Sequence, residues 1–86
     1  MTYESHPVRS IRRDPVPGET LRLVLTLADD ATAVAVASSV ESLGGEAVRE
    51  LEFDRLVVAV DQSDVERVVD LDGITAVETD AVLDQT

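Results

Sequence analysis

Gly73-Ile74-Thr75-Ala76-Val77-Glu78-Thr79-Asp80-Ala81-Val82-Leu83-Asp84-Gln85-Thr86 closes the chain, and its reading decides the fold. It starts behind a glycine as an alternating, β-branched run, carries two carboxylates at i, i+2, and ends without a helix signal or a turn. A period of two predicts a strand over residues 74–80, with Ile74 to Val77 contributing to the core. A closing strand needs partners, and the residues upstream supply them.

Immediately before it, Ser63-Asp64-Val65-Glu66 has the form of a capping box. The Ser63 hydroxyl would accept from the Glu66 amide, and the Glu66 carboxylate from the Ser63 amide. A short helix with Val65, Val68, Val69 and Leu71 inward follows, and Asp72-Gly73 stops it. Further back, residues 56–60 place Leu56, Val58 and Val60 on one face of a strand. Residues 46–53 alternate Ala47, Arg49, Leu51 and Phe53 against Val48, Glu50 and Glu52. With Asp54 and Arg55 as the connection, the two runs predict an antiparallel hairpin.

Residues 31–43 are alanine-rich, end in Gly44-Gly45 and can take an N-cap oxygen from Asp29 or Asp30. Val36, Val40 and Leu43 form one stripe, with Ala33 and Ala37 beside it, so this helix can sit close to a sheet. Residues 20–27 put Leu21, Leu23, Leu25 and Leu27 on one strand face and Arg22, Val24 and Thr26 on the other. The order is strand, helix, strand, strand, helix, strand. That predicts an α+β fold, the ferredoxin-like βαββαβ sandwich: a four-stranded antiparallel sheet with two helices on one face. Val24, Val48, Val57 and Ala59 would lie among polar residues on the other face, where a partner can dock.

Residues 1–19 hold three prolines, His6 and the Arg9, Arg12, Arg13 cluster, without periodicity. They read as a flexible or loosely docked N-terminal arm, leaving residues 20–86 as the folded domain. Such a domain has a small core, no cysteine to staple it, and only Tyr3 and Phe53 as aromatics.

Eighteen Asp and Glu stand against seven Arg, with no lysine, for a formal net charge of -11. Phosphate and anionic lipid are repelled by such a surface, so neither nucleic acid nor a membrane is an expected partner. Asp-rich, lysine-free surfaces resemble those of halophilic proteins, which makes any single carboxylate weak evidence for a site. One histidine and no cysteine leave no transition-metal set, and no cofactor is implied. With surface carboxylates as the only acid-base candidates, no enzyme activity is expected. The absence of an apolar leader or span makes a cytoplasmic location the expectation.

Several stretches carry a resemblance to a known family. Leu21-Arg22-Leu23-Val24-Leu25, Leu43-Gly44-Gly45-Glu46-Ala47, Leu51-Glu52-Phe53 and above all Ile74-Thr75-Ala76-Val77-Glu78-Thr79-Asp80 resemble the subtilisin propeptide, or inhibitor I9, family. The last is similar to that family's Val-x-x-Val-Glu-x-Asp signature. The resemblance covers about three-quarters of the chain. It implies an inhibitor, or a folding-chaperone-like module, for a subtilisin-type serine protease, free-standing because no protease domain follows. In that family the sheet docks on two surface helices of the enzyme, with last-strand carboxylates at their N-termini, a role that would fall to Glu78 and Asp80. The tail Ala81, Val82, Leu83, Asp84, Gln85 and Thr86 would then occupy the substrate cleft, with Thr86 at the cleavage position and Leu83 in the fourth pocket back. Thr86 departs from the large residue that many subtilisins favour there.

Two other functions fit the same pattern. A non-enzymatic interaction module could homodimerise through its uncovered sheet and touch no protease. A small-molecule sensor in the style of ACT domains would need a ligand loop after the first strand, where Ala28-Asp29-Asp30-Ala31 is acidic but lacks glycine.

Overall fold

The computed structural model describes residues 2–80. They form one five-stranded sheet and three α-helices in an α+β arrangement. The elements are β1 (Tyr3–Glu4), α1 (His6–Arg13), β2 (Thr20–Leu27), α2 (Ala33–Ser42), β3 (Glu46–Leu51), β4 (Arg55–Asp61), a single 3₁₀ turn (Gln62–Asp64), α3 (Val65–Val69) and β5 (Ile74–Thr79).

The sheet order is β1-β5-β2-β4-β3. Its inner part, β5-β2-β4-β3, is antiparallel throughout and follows the split β-α-β order. The departure from the four-stranded, two-helix expectation is at the outer edge. There β1 pairs in parallel with β5, Tyr3 beside Ala76 and Glu4 beside Val77, and α1 follows as a third helix.

β2 is the axis of the sheet, bonded to β4 on one side and β5 on the other. Its leucine face explains the position: Leu23, Leu25 and Leu27 are buried and Leu21 packs against the same cluster. A strand with that much apolar surface on one side is best covered at the centre of a sheet. Val8 of α1, Val36 and Val40 of α2, and Val65, Val68 and Val69 of α3 share one core with Leu56, Val58, Val60, Ile74 and Val77 of the strands. All three helices therefore lie on one face of the sheet.

Within the stretch read above as an arm, β1 and α1 are ordered parts of the body. Val8 is 0% exposed, Ile11 packs on the core beside it, and the Thr2 hydroxyl and Ser5 amide donate to the carbonyls of Ile74 and Val77. Pro7 falls in the first turn of α1, where a missing N–H is harmless and the fixed φ starts a helix instead of breaking one. Two apolar residues one turn apart give too short a stripe to register as a period. Among the arginines, Arg12 reaches back to Glu4 at 2.6 Å.

Two expected caps are replaced by others. Thr32, not Asp29 or Asp30, caps α2, its hydroxyl accepting from the Ala35 amide at 3.1 Å. Ser63 and Glu66 do not form a capping box, because residues 62–64 are a 3₁₀ turn and α3 begins only at Val65. Instead Asp61 accepts from the Ser63 amide and hydroxyl, and from the Gly18 amide at 2.7 Å, which ties the 14–19 loop to the end of β4.

The β3–β4 connection also moves. β3 ends at Leu51 and Arg55 already belongs to β4, so Glu52, Phe53 and Asp54 form the tip. Phe53 and Asp54 both take left-handed backbone angles, φ 64° and 58°, the handedness that tight hairpins require. Without glycine there, Phe53 costs about 1–2 kcal/mol, and Asp54, whose short polar side chain tolerates the region, costs less. An irregularity between Ala47 and Arg49 shifts the β3 register and sets Glu50 opposite Leu56, so strict alternation fails in this strand.

Two outcomes follow from these contacts. Val8→Ala should lower unfolding free energy by roughly 1.5–3 kcal/mol in urea titration, a methyl pair lost from a closed core; a loss of only a few tenths would mean that α1 is not part of the cooperative fold. Hydrogen bonding, from the Ser63 hydroxyl first and the Ser63 amide next, holds the Asp61 carboxyl below its ordinary value of 3.8. A depressed carboxyl contributes stability that is complete above the unfolded-state value and fades as pH falls through the folded one. The melting-temperature gap between the natural chain and Asp61→Asn should therefore be present at neutral pH and close on acidification below 3.8; a gap that persists in acid would contradict it.

Candidate functional site

The helix-free face of the sheet is built from the other half of each strand. Val24 stands opposite Glu78 and Val57, Arg22 opposite Ala59, and Thr26 opposite Ala76 and Arg55. Tyr3, beside Ala76, extends this face across the outer edge and is 58% exposed. At its centre Val57 is 2% exposed although it lies outside the main core, with Val24 and Ala59 half-buried beside it. This face thus has a short apolar stripe flanked by Arg22 and Arg55, and is less open than four exposed valines and alanines would have made it.

A bulge decides where the two carboxylates of β5 point. Strict alternation from Ile74 would send Ala76, Glu78 and residue 80 to the core side. Instead the β2–β5 register shifts between Thr26 and Leu27: Leu27 pairs with Ile74, but Thr26 with Ala76, leaving Thr75 as the extra residue. Thr75 donates its hydroxyl to the Thr26 carbonyl across the irregularity. Ile74 and Val77 are consequently both buried, three positions apart, and Glu78 emerges exposed on the helix-free face. The sequence offers no signature for this, since a bulge needs only one residue more than its partner strand.

Asp80 continues the pairing, its amide donating to the Arg22 carbonyl at 3.0 Å. Glu78 and Asp80 are thus brought to one end of one face, as their i, i+2 spacing requires. Neither forms an ion pair with a described residue; the two pairs found are Arg12–Glu4 and Arg67–Asp64. Carboxylate oxygens in that position are available to accept from unpaired amides of another molecule. The remaining predicted site residues, Ala81, Val82, Leu83, Asp84, Gln85 and Thr86, lie outside the described residues.

Elsewhere the described surface offers shallow concavities. One of about 370 Å³, beside the start of α2, is lined by Asp30, Thr32, Ser39 and Asp72 among small side chains. Another of about 180 Å³ runs between α2 and β3, with Ala33, Val34, Ala37, Ala47 and Leu56 on its walls. Among the described residues no group of His, Cys, Asp and Glu is placed to hold a metal ion, and no helix is long and apolar enough to cross a membrane. His6 is exposed at the start of α1.

With the geometry in place, comparison with known proteins gives one match. A family profile described as "Putative peptidase inhibitor domain" aligns with residues 3–80. That span includes β1, α1 and the whole sheet, and it ends at Asp80. Neither a curated protein sequence nor a solved structure matches the chain.

Because Glu78 is exposed and the Asp80 side chain has no bond to a described residue, Glu78→Gln and Asp80→Asn should each leave stability within about 0.5 kcal/mol of the natural chain by thermal or urea unfolding. A larger loss would assign these carboxylates to the fold itself.

Proposed function

This chain belongs to the family described as "Putative peptidase inhibitor domain", and we propose that it is a non-catalytic inhibitor of a subtilisin-type serine peptidase. In this reading the helix-free face docks on the enzyme, Glu78 and Asp80 accept hydrogen bonds from helix-start amides there, and the residues after Asp80 enter the substrate cleft. The ferredoxin-like order of β2 to β5 and the Val-x-x-Val-Glu-x-Asp resemblance in residues 74–80 support the subtilisin type. A helix N-terminus carries unpaired N–H groups and partial positive charge, so a carboxylate is its natural ligand.

The observation that carries the reading is the exit geometry of β5. Its bulge turns Glu78 away from the core, and the Asp80 amide still bonds to the Arg22 carbonyl. The chain at residue 80 is therefore extended and at the sheet's end, the form in which a segment can add to an enzyme cleft by backbone hydrogen bonds. Occupation of that kind blocks substrate without chemistry by the inhibitor.

Titration of subtilisin in molar salt, where an acidic surface is screened, tests this directly. The intact chain should inhibit, and removal of residues 81–86 should abolish inhibition while leaving the melting transition in place. Glu78→Gln and Asp80→Asn should each weaken inhibition by roughly tenfold, the size of one charged hydrogen bond. Full inhibition by the truncated protein would sink the proposal.

A further inference from the structure

The hairpin tip at Glu52-Phe53-Asp54 opposes the logic of the rest of the chain. Phe53 is the sole phenylalanine of a sequence with two aromatics, yet the core contains neither of them. It is 82% exposed, and it holds a left-handed backbone angle that glycine or asparagine would adopt more readily. Asp54 beside it is left-handed as well. A large apolar side chain gains nothing for folding when it is left in water, and backbone strain of this kind clusters at functional sites such as ligand clamps.

Its surroundings define what it fits. Glu52 and Asp54 flank Phe53 and are exposed, and Arg49 and Glu50, exposed as well, precede them on β3. Arg55, the nearest cation in sequence, is turned back to the Glu52 carbonyl at 3.2 Å. Three carboxylates, Glu50, Glu52 and Asp54, against two guanidiniums leave the apolar tip with an acidic excess, complementary to an apolar pocket with a basic rim. Val34, 81% exposed at the start of α2, lies at the same end of the sheet, on the wall of the groove that Leu56 closes.

The tip is also remote from the closing strand. Asp54 accepts from the Leu27 amide at the C-terminal end of β2, whereas Asp80 bonds to Arg22 near its start. The five residue steps from Arg22 to Leu27 along β2 separate the two places by roughly 17 Å. The tip and the last described residue of the closing strand therefore stand at opposite ends of β2.

We propose that Phe53 is the anchor of a second contact with the inhibited peptidase, seated in an apolar, basic-rimmed pocket outside the substrate cleft. This rests on the peptidase-inhibitor reading given above. A buried aromatic at the centre, with a surrounding rim that excludes water, is the usual composition of an energetically dominant interface residue.

Phe53→Gly separates binding from folding, because glycine relieves the left-handed backbone while removing the side chain. Binding to subtilisin with its catalytic serine replaced by alanine, measured calorimetrically in molar salt, should weaken by about tenfold or more. The same variant should melt at a temperature equal to or above that of the natural chain. Phe53→Asn, which keeps a residue tolerant of the left-handed angle, should behave alike. Equal affinities for the natural chain and both variants would overturn the inference and leave the inhibitor reading standing. No binding by the natural chain would remove that reading, and the second contact with it.

Discussion

The core contains no aromatic ring, and the rest of the structure depends on that constraint. Valine, leucine and isoleucine reach only a short distance from the backbone, so helices and sheet must come close together to exclude voids. Ala33 and Ala37 let α2 approach, and Gly45, where the chain turns from α2 into β3, has no room to spare. A Cβ there would lie 2.7 Å from Val60 Cγ1 and 2.9 Å from Val40 Cγ1. A core of small side chains in a small domain is also a modest source of stability. That explains why the N-terminal residues are drawn in: Val8 and Ile11 extend the core past β5, and β1 covers part of an edge that would otherwise offer unpaired backbone groups.

What the sequence shows and what it hides divide along the same physical line. Periodic burial is legible, because it repeats: the leucines of β2, the Val36 and Val40 stripe of α2 and the Val58 and Val60 face of β4 are all where their spacing puts them. Single events are not. Thr32 competes with Asp29 and Asp30 for one cap, and all three are good capping residues, so only the local backbone decides. Ser63 and Glu66 have capping-box spacing, but Asp61 reaches the Ser63 amide first and tightens the turn into 3₁₀ form. β1 is two residues long, below any period, and exists only because β5 lies beside it.

The candidate site shows the same division more sharply. That Glu78 and Asp80 share a face follows from their spacing and needs no structure. Which face they share depends on the bulge at Thr75, a tertiary event with no local signal. In a chain with a net charge of -11, residue type could not separate these carboxylates from solvated surface acids. Their placement adds what residue type cannot: they stand at the end of a strand whose inward residues, Ile74 and Val77, are locked in the core.

Rigidity then gives the site its geometry. β2 is hydrogen-bonded along both sides, so the spacing between its ends is among the least adjustable lengths in the molecule. One end bears Arg22, to which the chain stays bonded at Asp80; the other bears Leu27, to which the hairpin tip is bonded at Asp54. Contacts made at both ends by one partner would have to match that spacing, because neither β4 nor β5 can slide past β2 without turning its apolar face to water. A flexible scaffold would let a tail find any receptive groove. On the proposed two-contact reading, a fixed one would restrict binding to surfaces that present both features at the right separation, a selectivity that six residues of ordinary composition after Asp80 would not contain on their own.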